Sequence, residues 1–315
     1  MIKEKLNLNS NLFLAPLAGV TDIPFRIICG ELGAGLCFTE MISAKALYYD
    51  DKKTEKLLDT DPRENSTSVQ IFGHEPEIMA YATRFLTENY NFKSIDINMG
   101  CPAPKIFKNG DGSALMGDLN LAEDVIRACK NNTDLPVSVK FRLGIDENSM
   151  NYLQLAQICE RLKVDYITLH ARTRKMFYSG EADWYHIKRL VEAVNIPVFG
   201  NGDCFTKADI KRNMEYSNCD GVLLARGAMQ NPFIFSDDET KTKEEVIDTI
   251  KKHMQLKLEF YEERRAILEM RKHIQWYLKG FKNSNRVKNE INQLTDIDQI
   301  YKILDEFKNS SSSLC

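Results

Sequence analysis

The amino-acid sequence predicts an α/β protein in which a (β/α)8 barrel is followed by a small C-terminal helical bundle. Eight short apolar runs recur over about the first 230 residues, and segments with helical spacing separate them. The alternation stops after residue 240, where only helical spacing continues. Eight strand–helix units in a stretch of this length are typical of a barrel with eight parallel strands.

The apolar runs are the predicted strands. Most are continuous rather than alternating, as expected for strands buried on both faces of a parallel sheet. In chain order they are LFLAPL (12–17), LCFTEM (36–41), SVQIFG (68–73), SIDINMG (94–100), PVSVKFRLG (136–144), YITLHAR (166–172), IPVFGNGD (196–203) and GVLLARG (221–227). A doubly wound sheet is the alternative, but no GxGxxG pattern follows an early strand.

Helical spacing lies between these runs. In PEIMAYATRFL the residues Ile78, Ala82 and Phe85 fall on one stripe, which indicates a helix packed on the sheet. The clearest predicted helices are at 75–90, 118–132, 150–162 and 206–217.

Three segments are predicted from this rhythm. Residues 1–240 form the barrel and residues 241–309 form a separate helical domain, in which the helical spacing is broken near 280–285. Residues 310–315, with the sequence SSSSLC, are expected to be a disordered tail.

Composition places the chain among ordinary globular proteins. The sequence has 315 residues, 43% of them hydrophobic, which is enough for a sizeable core. No apolar run approaches the about 18 residues needed to cross a bilayer. The first ten residues, MIKEKLNLNS, lack the apolar segment of a secretory signal, so we expect a cytoplasmic protein.

The eight cysteines have no metal-binding or redox spacing. No two are separated by only two residues, which excludes the usual zinc and thioredoxin motifs. Most are expected to be small buried hydrophobic residues. Cys101 is the exception, because it stands just beyond a predicted strand in a loop flanked by glycine and proline.

The charge is uneven along the chain. The net charge is −3, yet residues 264–288 contain eight basic residues and only one acidic residue. A basic surface that binds phosphates and a solvated helix face are equally consistent with this stretch.

Polar residues end nearly every predicted strand. In such barrels the active site lies at the carboxyl ends of the strands, and a ring of polar residues there is hard to explain except as a site. The strand-end residues, in chain order, are Pro16, Glu40, Gln70, Asn98 with Cys101, Lys140 with Arg142, His170 with Arg172, Asn201 with Asp203, and Arg226.

The types of residue in this ring indicate a phosphorylated planar ligand. The glycine turns GNGD and ARGA follow strands seven and eight, where such barrels often bind phosphate through backbone N–H groups. The other polar side chains suit a flat ring rich in heteroatoms. Flavin mononucleotide (FMN) fits this inventory better than a sugar phosphate. No carboxylate cluster or histidine pair has metal-ligand spacing, so no metal is expected.

Seven motifs in this order resemble those of the bacterial tRNA-dihydrouridine synthases, the B type in particular. They are LAPLAGVTDIPFR, TEMISAKAL, DINMGCPAPKIFKNGDGSALMGD, VKFRLG, LHARTRKMFYSGEADW, FGNGDCF and LLARGAMQNPFIF. The resemblance covers roughly residues 10–235 and extends weakly to 270–281. It implies an FMN-bound barrel with a helical bundle that reduces uridines in tRNA with NADPH. Ala171, where many members have glycine, and the variable loop 174–178 depart from the pattern.

The resemblance also implies roles for individual residues. FMN contacts are expected from Pro16, Leu17, Ala18, Gln70, Lys140, His170, Asn201, Gly202, Asp203, Ala225, Arg226 and Gly227. Candidates for contact with tRNA are Asn98, Arg142, Arg172, Arg174, Arg271, Lys272 and Lys279. The basic residues among them are chosen for their charge, and for each arginine solvation at the surface is equally consistent with the sequence. The catalytic residue is expected to be Cys101.

The chemistry of uracil reduction explains why a cysteine is needed. Reducing the C5–C6 bond requires a hydride at C6 and a proton at C5 from the opposite face. A thiol with a pKa of about 8.5 is protonated at neutral pH, so Cys101 can donate that proton. A uridine in folded tRNA must also be extruded to enter a barrel.

Two other functions are consistent with part of the sequence. An FMN-dependent barrel enzyme that reduces a free small molecule would explain the barrel but not the basic helical stretch. A non-enzymatic tRNA chaperone would not need Cys101. We expect a monomer without membrane or metal partners.

Overall fold

The computed structural model describes residues 2–310. Within them the chain forms two compact units, one extending up to Ala225 and the other beginning at Arg226. The predicted boundary after residue 240 lies inside the second unit, and a functional division at that point stays a prediction. Apart from Ser310, the predicted tail lies outside the described residues.

The first unit is a closed barrel of eight parallel strands in sequential order, which confirms the predicted fold class. Each strand lies within a predicted apolar run or extends it by one or two residues. The strands are β1 (Leu12–Leu14), β2 (Leu36–Ser43), β3 (Thr67–Phe72), β4 (Ile95–Met99), β5 (Val137–Arg142), β6 (Tyr166–His170), β7 (Val198–Asn201) and β8 (Gly221–Leu224).

Helices connect the strands. Asp22, Asp118 and Thr206 cap three of them by accepting hydrogen bonds from backbone N–H groups of the first turn. The helices are α1 (Ile2–Lys5), α2 (Ile23–Glu31), α3 (Ala44–Tyr48), α4 (Lys52–Glu55), α5 (Pro76–Asn89), α6 (Pro104–Lys108), α7 (Leu119–Lys130), α8 (Tyr152–Arg161), α9 (Trp184–Ala193) and α10 (Lys207–Ser217). The four clearest predicted helices are confirmed as α5, α7, α8 and α10.

The barrel interior is apolar at one level and polar at the next. Phe13 and Phe199 stack with ring centroids 4.4 Å apart, and Tyr166 meets both rings edge-on. Ile2 of α1 and Leu6, just after it, belong to the same buried cluster. This core leaves the polar residues of the strands to line the barrel nearer its carboxyl end.

Strand register aligns those polar residues in rows. Gln70 on β3 lies opposite Asp96 on β4, which in turn lies opposite Ser138 on β5. Asn98 and Lys140 form the next pair along β4 and β5. A third row joins Arg142, His170 and Asn201 across β5, β6 and β7.

The second unit is helical. Its elements are α11 (Arg226–Gln230), α12 (Lys243–Phe260), α13 (Glu263–Tyr277), α14 (Ser284–Ile291) and α15 (Ile297–Asn309). α12 packs against α13 and α15, and α14 contacts α13 and α15. Gly280, with φ +89°, lies between α13 and α14, which confirms the predicted break near 280–285. Within residues 2–310 no helix is long and apolar enough to cross a membrane.

Candidate active site

The loop after β4 holds Cys101 in a defined position. The Asn98 side chain accepts hydrogen bonds at Oδ1 from the backbone N–H of Gly100, at 3.0 Å, and of Cys101, at 2.9 Å. From the far end of the loop, Ser113 donates its hydroxyl to the Cys101 carbonyl at 2.7 Å. The backbone of Cys101 is therefore bonded on both sides.

Gly112 allows this loop to close. Its φ is +60°, and a Cβ added there would lie 3.0 Å from the Cβ of Cys101 and 3.1 Å from Ile106. The adjacent Asp111 hydrogen-bonds Nδ1 of His74 at 2.8 Å, which ties the loop to the end of β3. His74 and Asp111 also line a cavity of about 370 Å³ beside the loop.

The Cys101 thiol is kept protonated by its surroundings. Burial raises its pKa above the ordinary value, although the backbone N–H of Ala103 and the charges of Lys140 and Arg142 act in the opposite direction. At neutral pH the sulfur therefore carries a proton that it can donate.

The other cysteines differ from Cys101. The six other described cysteines are buried, which agrees with the expectation that they are small buried hydrophobic residues. They are Cys29, Cys37, Cys129, Cys159, Cys204 and Cys219. In residues 2–310 no cluster of His, Cys, Asp or Glu is arranged to hold a metal ion.

Lys140 is a partly accessible cation on β5. It keeps part of its surface accessible and forms no salt bridge in the described part of the chain. Burial, and secondarily the charge of Arg142, lowers the pKa of Lys140 to about 8, whereas Asp96 acts to raise it. An ammonium group of this kind suits an anionic or electron-rich ligand.

The segment after β7 combines a turn that requires glycine with an ion pair between a buried arginine and a partly exposed carboxylate. Gly202 has φ +134°, and an added Cβ would lie 2.5 Å from that of Ala182. The Asp203 carboxylate accepts from Arg172 at 2.6 Å and from the Ala182 N–H at 2.7 Å. Asn201 donates to the Leu223 carbonyl at 2.8 Å. A phosphate contact predicted for residue 203 would therefore have to come from its backbone.

Five further predicted FMN residues of the first unit lie at or just beyond the carboxyl ends of their strands. Pro16, Leu17 and Ala18 follow β1, where Leu17 donates its N–H to the Thr21 hydroxyl at 3.1 Å. Ala225 follows β8 directly. His170 ends β6 and is buried. Arg226 and Gly227 open α11 in the second unit.

Two predicted tRNA contacts are buried arginines. Arg142 is 2% exposed and Arg172 is 1% exposed. Arg142 donates to the carbonyls of Gly100, Thr173 and Phe177 at 2.8–2.9 Å. Arg172 donates to the carbonyls of residues 179 and 180 as well as to Asp203. This placement favours support of the loop at 173–180 over the phosphate contact expected from sequence.

Arg174, in contrast, remains partly accessible in that loop. Its guanidinium lies over the Phe107 ring of α6 at 4.0 Å and near the Phe177 ring at 5.6 Å. It therefore connects the loop after β6 with the helix that follows Cys101.

The basic stretch of the second unit is partly neutralised. Arg265 pairs with Glu269 and Arg286 with Glu290, each at 2.8 Å. Arg271 donates to the Leu294 carbonyl at 2.8 Å. The other two predicted tRNA contacts here are Lys272, which is partly buried, and Lys279, which donates to Gln230 at 3.1 Å. Exposed cations that remain for a ligand include Arg264 and Lys282.

Sequence reasoning assigned no role to Asp96, although it is central to the polar interior. Its carboxylate accepts from Gln70 Nε2 at 2.6 Å and from the Ser138 hydroxyl at 2.6 Å. Burial raises the pKa of Asp96 to about 6, while those hydrogen bonds and Lys140 act to lower it. The available signal was a carboxylate in the middle of a predicted strand, in the segment SIDINMG.

Comparison with known proteins agrees with the resemblance seen in the motifs. Residues 13–312 match the family described as Dihydrouridine synthase (Dus). The chain is 39% identical over 308 residues to a probable tRNA-dihydrouridine synthase of Rickettsia bellii, covering 94% of both chains. It is 34% identical over 312 residues to the tRNA-dihydrouridine synthase B of Pasteurella multocida, covering 96% of this chain and 94% of that one.

Solved structures with low sequence identity share the fold. Histamine dehydrogenase from Rhizobium sp. 4-9 aligns with a TM-score of 0.56 at 14% identity, over 79% of this chain and 49% of that chain. The amine oxidase HisD of Pseudomonas geniculata N1 aligns with a TM-score of 0.57 at 12% identity, over 79% and 50%. This chain thus spans about half the length of these two neighbours, and they support the barrel alone. The match over nearly the whole sequence decides the assignment: the chain belongs to the dihydrouridine synthase family.

Proposed function

We propose that the protein reduces the C5–C6 double bond of uridines in tRNA to give dihydrouridine. Membership of the dihydrouridine synthase family supports the reaction, and the names of the Rickettsia and Pasteurella relatives support tRNA as the substrate. The exposed cations Arg264 and Lys282 would attract the phosphates of such a substrate.

The residues at the carboxyl end of the barrel suit FMN. Lys140 provides a positive charge that forms no salt bridge within residues 2–310, and the turn at Gly202 has no room for a side chain. The residues that would hold the cofactor are Gln70, Lys140 and His170, together with the backbone at 16–18, 201–203 and 225–227. Reduced FMN, itself regenerated by NADPH, supplies the hydride in this reaction class.

Cys101 would donate the proton to C5 of the uracil. The observation that carries this role is the placement of Cys101 just beyond β4, with its backbone held by Asn98 and Ser113 and its thiol kept protonated by burial. When Sγ–H gives its proton to carbon, the thiolate that remains is stabilised by the positive charges of Lys140 and Arg142. A positioned general acid contributes on the order of 10²–10⁴ in rate.

The test compares the wild type with Cys101→Ala on unmodified tRNA in the presence of FMN and NADPH. We expect the wild type to form dihydrouridine and the variant to be slower by about 100-fold or more, with unchanged flavin content. Free uridine serves as the control substrate. Efficient reduction of free uridine, without reduction of tRNA, would contradict the proposal and favour a small-molecule reductase.

A further inference from the structure

We propose that Asp96 is a positioning residue that fixes the place of Cys101 through a chain of buried hydrogen bonds. This inference rests on the role proposed for Cys101. Asp96 precedes Cys101 by five residues in the sequence. The hydrogen-bonded chain connects the two residues through side chains of two strands, β3 and β4.

All the hydrogen bonds of this chain point the same way, each donor lying on the side of the Cys101 loop or of the residue before it and the last acceptor being the Asp96 carboxylate. The Cys101 N–H donates to Asn98 Oδ1 at 2.9 Å, and Asn98 Nδ2 donates to Gln70 Oε1 at 2.8 Å. Gln70 Nε2 then donates to Asp96 Oδ2 at 2.6 Å. Each amide side chain therefore accepts on the side of the loop and donates on the side of Asp96.

Asp96 is the group that sets this direction. An amide side chain can rotate by half a turn and exchange its donor and acceptor ends. A carboxylate has only acceptors, so it selects the NH2 end of Gln70. The oxygen of Gln70 then faces Asn98, which in turn presents its own oxygen to the N–H groups of the loop. A reversed Asn98 would place an NH2 group against those N–H groups.

Burial makes the selection strong. Gln70 and Asp96 are each 1% exposed, so a mismatched amide there has little access to water as an alternative partner. An unsatisfied buried polar group costs about 1–3 kcal/mol. Ser138, which is fully buried, donates to Asp96 Oδ1 at 2.6 Å and holds the carboxylate from the other side.

A purely structural explanation accounts less well for a charge at this position. Replacing a buried ionic group by an apolar residue of similar volume is often neutral or stabilising. Burial disfavours the ionised form of Asp96, which is the cost of a carboxylate in the barrel interior. The order that it imposes on the Cys101 loop provides a functional reason for that cost.

The experiment measures the rate of alkylation of Cys101 by iodoacetamide in the flavin-loaded protein, with Cys101→Ala as the background. We expect Asp96→Leu to increase this rate at least tenfold, because the loop is released, and to slow single-turnover reduction of tRNA by a similar factor. Thr168→Val is the matched control, since it removes a buried β6 hydroxyl that has no hydrogen-bond partner among residues 2–310. That variant is expected to alkylate at the wild-type rate.

A double-mutant cycle with Asn98→Ala separates positioning from general destabilisation. If the chain acts as a unit, the alkylation rates of Asp96→Leu, Asn98→Ala and the double variant are nearly the same. Multiplicative effects of the two substitutions would overturn the proposal. If leucine is not tolerated at position 96, the same cycle with Asp96→Ala decides the question, because alanine removes both acceptor oxygens without adding bulk.

The two proposals fail in different ways. If the Cys101→Ala enzyme is active, Cys101 is not the general acid. The double-mutant cycle measured by alkylation still tests the hydrogen-bonded chain in that case. An inactive Cys101→Ala enzyme with independent effects at Asp96 and Asn98 would overturn the positioning role alone.

Discussion

The guanidinium carbon of Arg174 lies 4.0 Å from the centroid of the Phe107 ring and so joins two loops of the barrel that are far apart in sequence. Phe107 belongs to α6, which follows Cys101, and Arg174 belongs to the loop that the buried Arg142 and Arg172 support. The loop after β6 therefore stabilises the segment that presents Cys101.

We expect Arg174→Lys to be impaired almost as much as Arg174→Ala. Lysine keeps the charge but loses the planar group that stacks on the ring, and such a contact is worth about 0.5–2 kcal/mol. The kcat/KM for tRNA should fall about three- to thirtyfold in both variants. Lys175→Ala is the control, because this exposed neighbour pairs with Asp146 instead. A fully active Arg174→Lys enzyme would show that the charge, rather than the stack, matters.

Gly112→Ala is expected to displace Cys101. The new Cβ would lie 3.0 Å from the Cβ of Cys101, and φ of +60° is unfavourable for alanine. Gly117→Ala, in the same short helical segment, meets nothing within 4 Å and is the matched control. We expect the first variant to lose at least about tenfold in tRNA reduction and the second to retain wild-type activity. Equal activities of the two variants would contradict the close packing of this loop.

FMN binding should weaken as the pH rises from 7 to 9. The pKa of Lys140 is lowered to about 8 in the free protein, so its protonated fraction falls about tenfold over this range. An anionic ligand binds more tightly to the protein in which Lys140 is protonated. Above the pKa of Lys140, binding therefore requires that Lys140 take up a proton, and the affinity decreases. Titration of the apoprotein with FMN should show a decrease of up to about tenfold. Lys140→Met should bind more weakly at pH 7 and lose this pH dependence, and an unchanged slope in that variant would exclude Lys140 as its origin.

Binding of tRNA should depend on the exposed cations of the second unit. Replacing Arg264 and Lys282 by glutamate is expected to weaken binding of tRNA. The slope of log affinity against log salt concentration should become less steep by about 1–2, because fewer phosphate contacts form and fewer counterions are released on binding. The double variant with Lys3→Glu and Lys93→Glu, two exposed lysines of the first unit, makes the same charge change and should keep the wild-type slope. Equal losses in the two double variants would indicate a general charge effect.

Much of the candidate site could be predicted because strand ends are a local feature. Apolar runs mark the buried strands, and the polar residues in or just beyond their carboxyl-terminal halves, such as Lys140 and Cys101, must meet at one end of a parallel barrel. The hydrogen-bond partners of Arg142 and Arg172 could not be predicted in this way. Both look like surface cations in the sequence, yet their partners are backbone carbonyls of a loop that the fold brings over them.

The sequence by itself determined the order of the eight strands, the helical nature of the C-terminal unit and the position of Cys101 beyond β4. These features depend on local hydrophobic patterning and on the topology of parallel strands. Only the tertiary structure decided which polar groups face each other. Gln70 and Asp96 are separated by 26 residues and meet because closure of the barrel sets the register of β3 against β4. Hydrogen bonds between side chains require that register and a common direction, which no local pattern specifies.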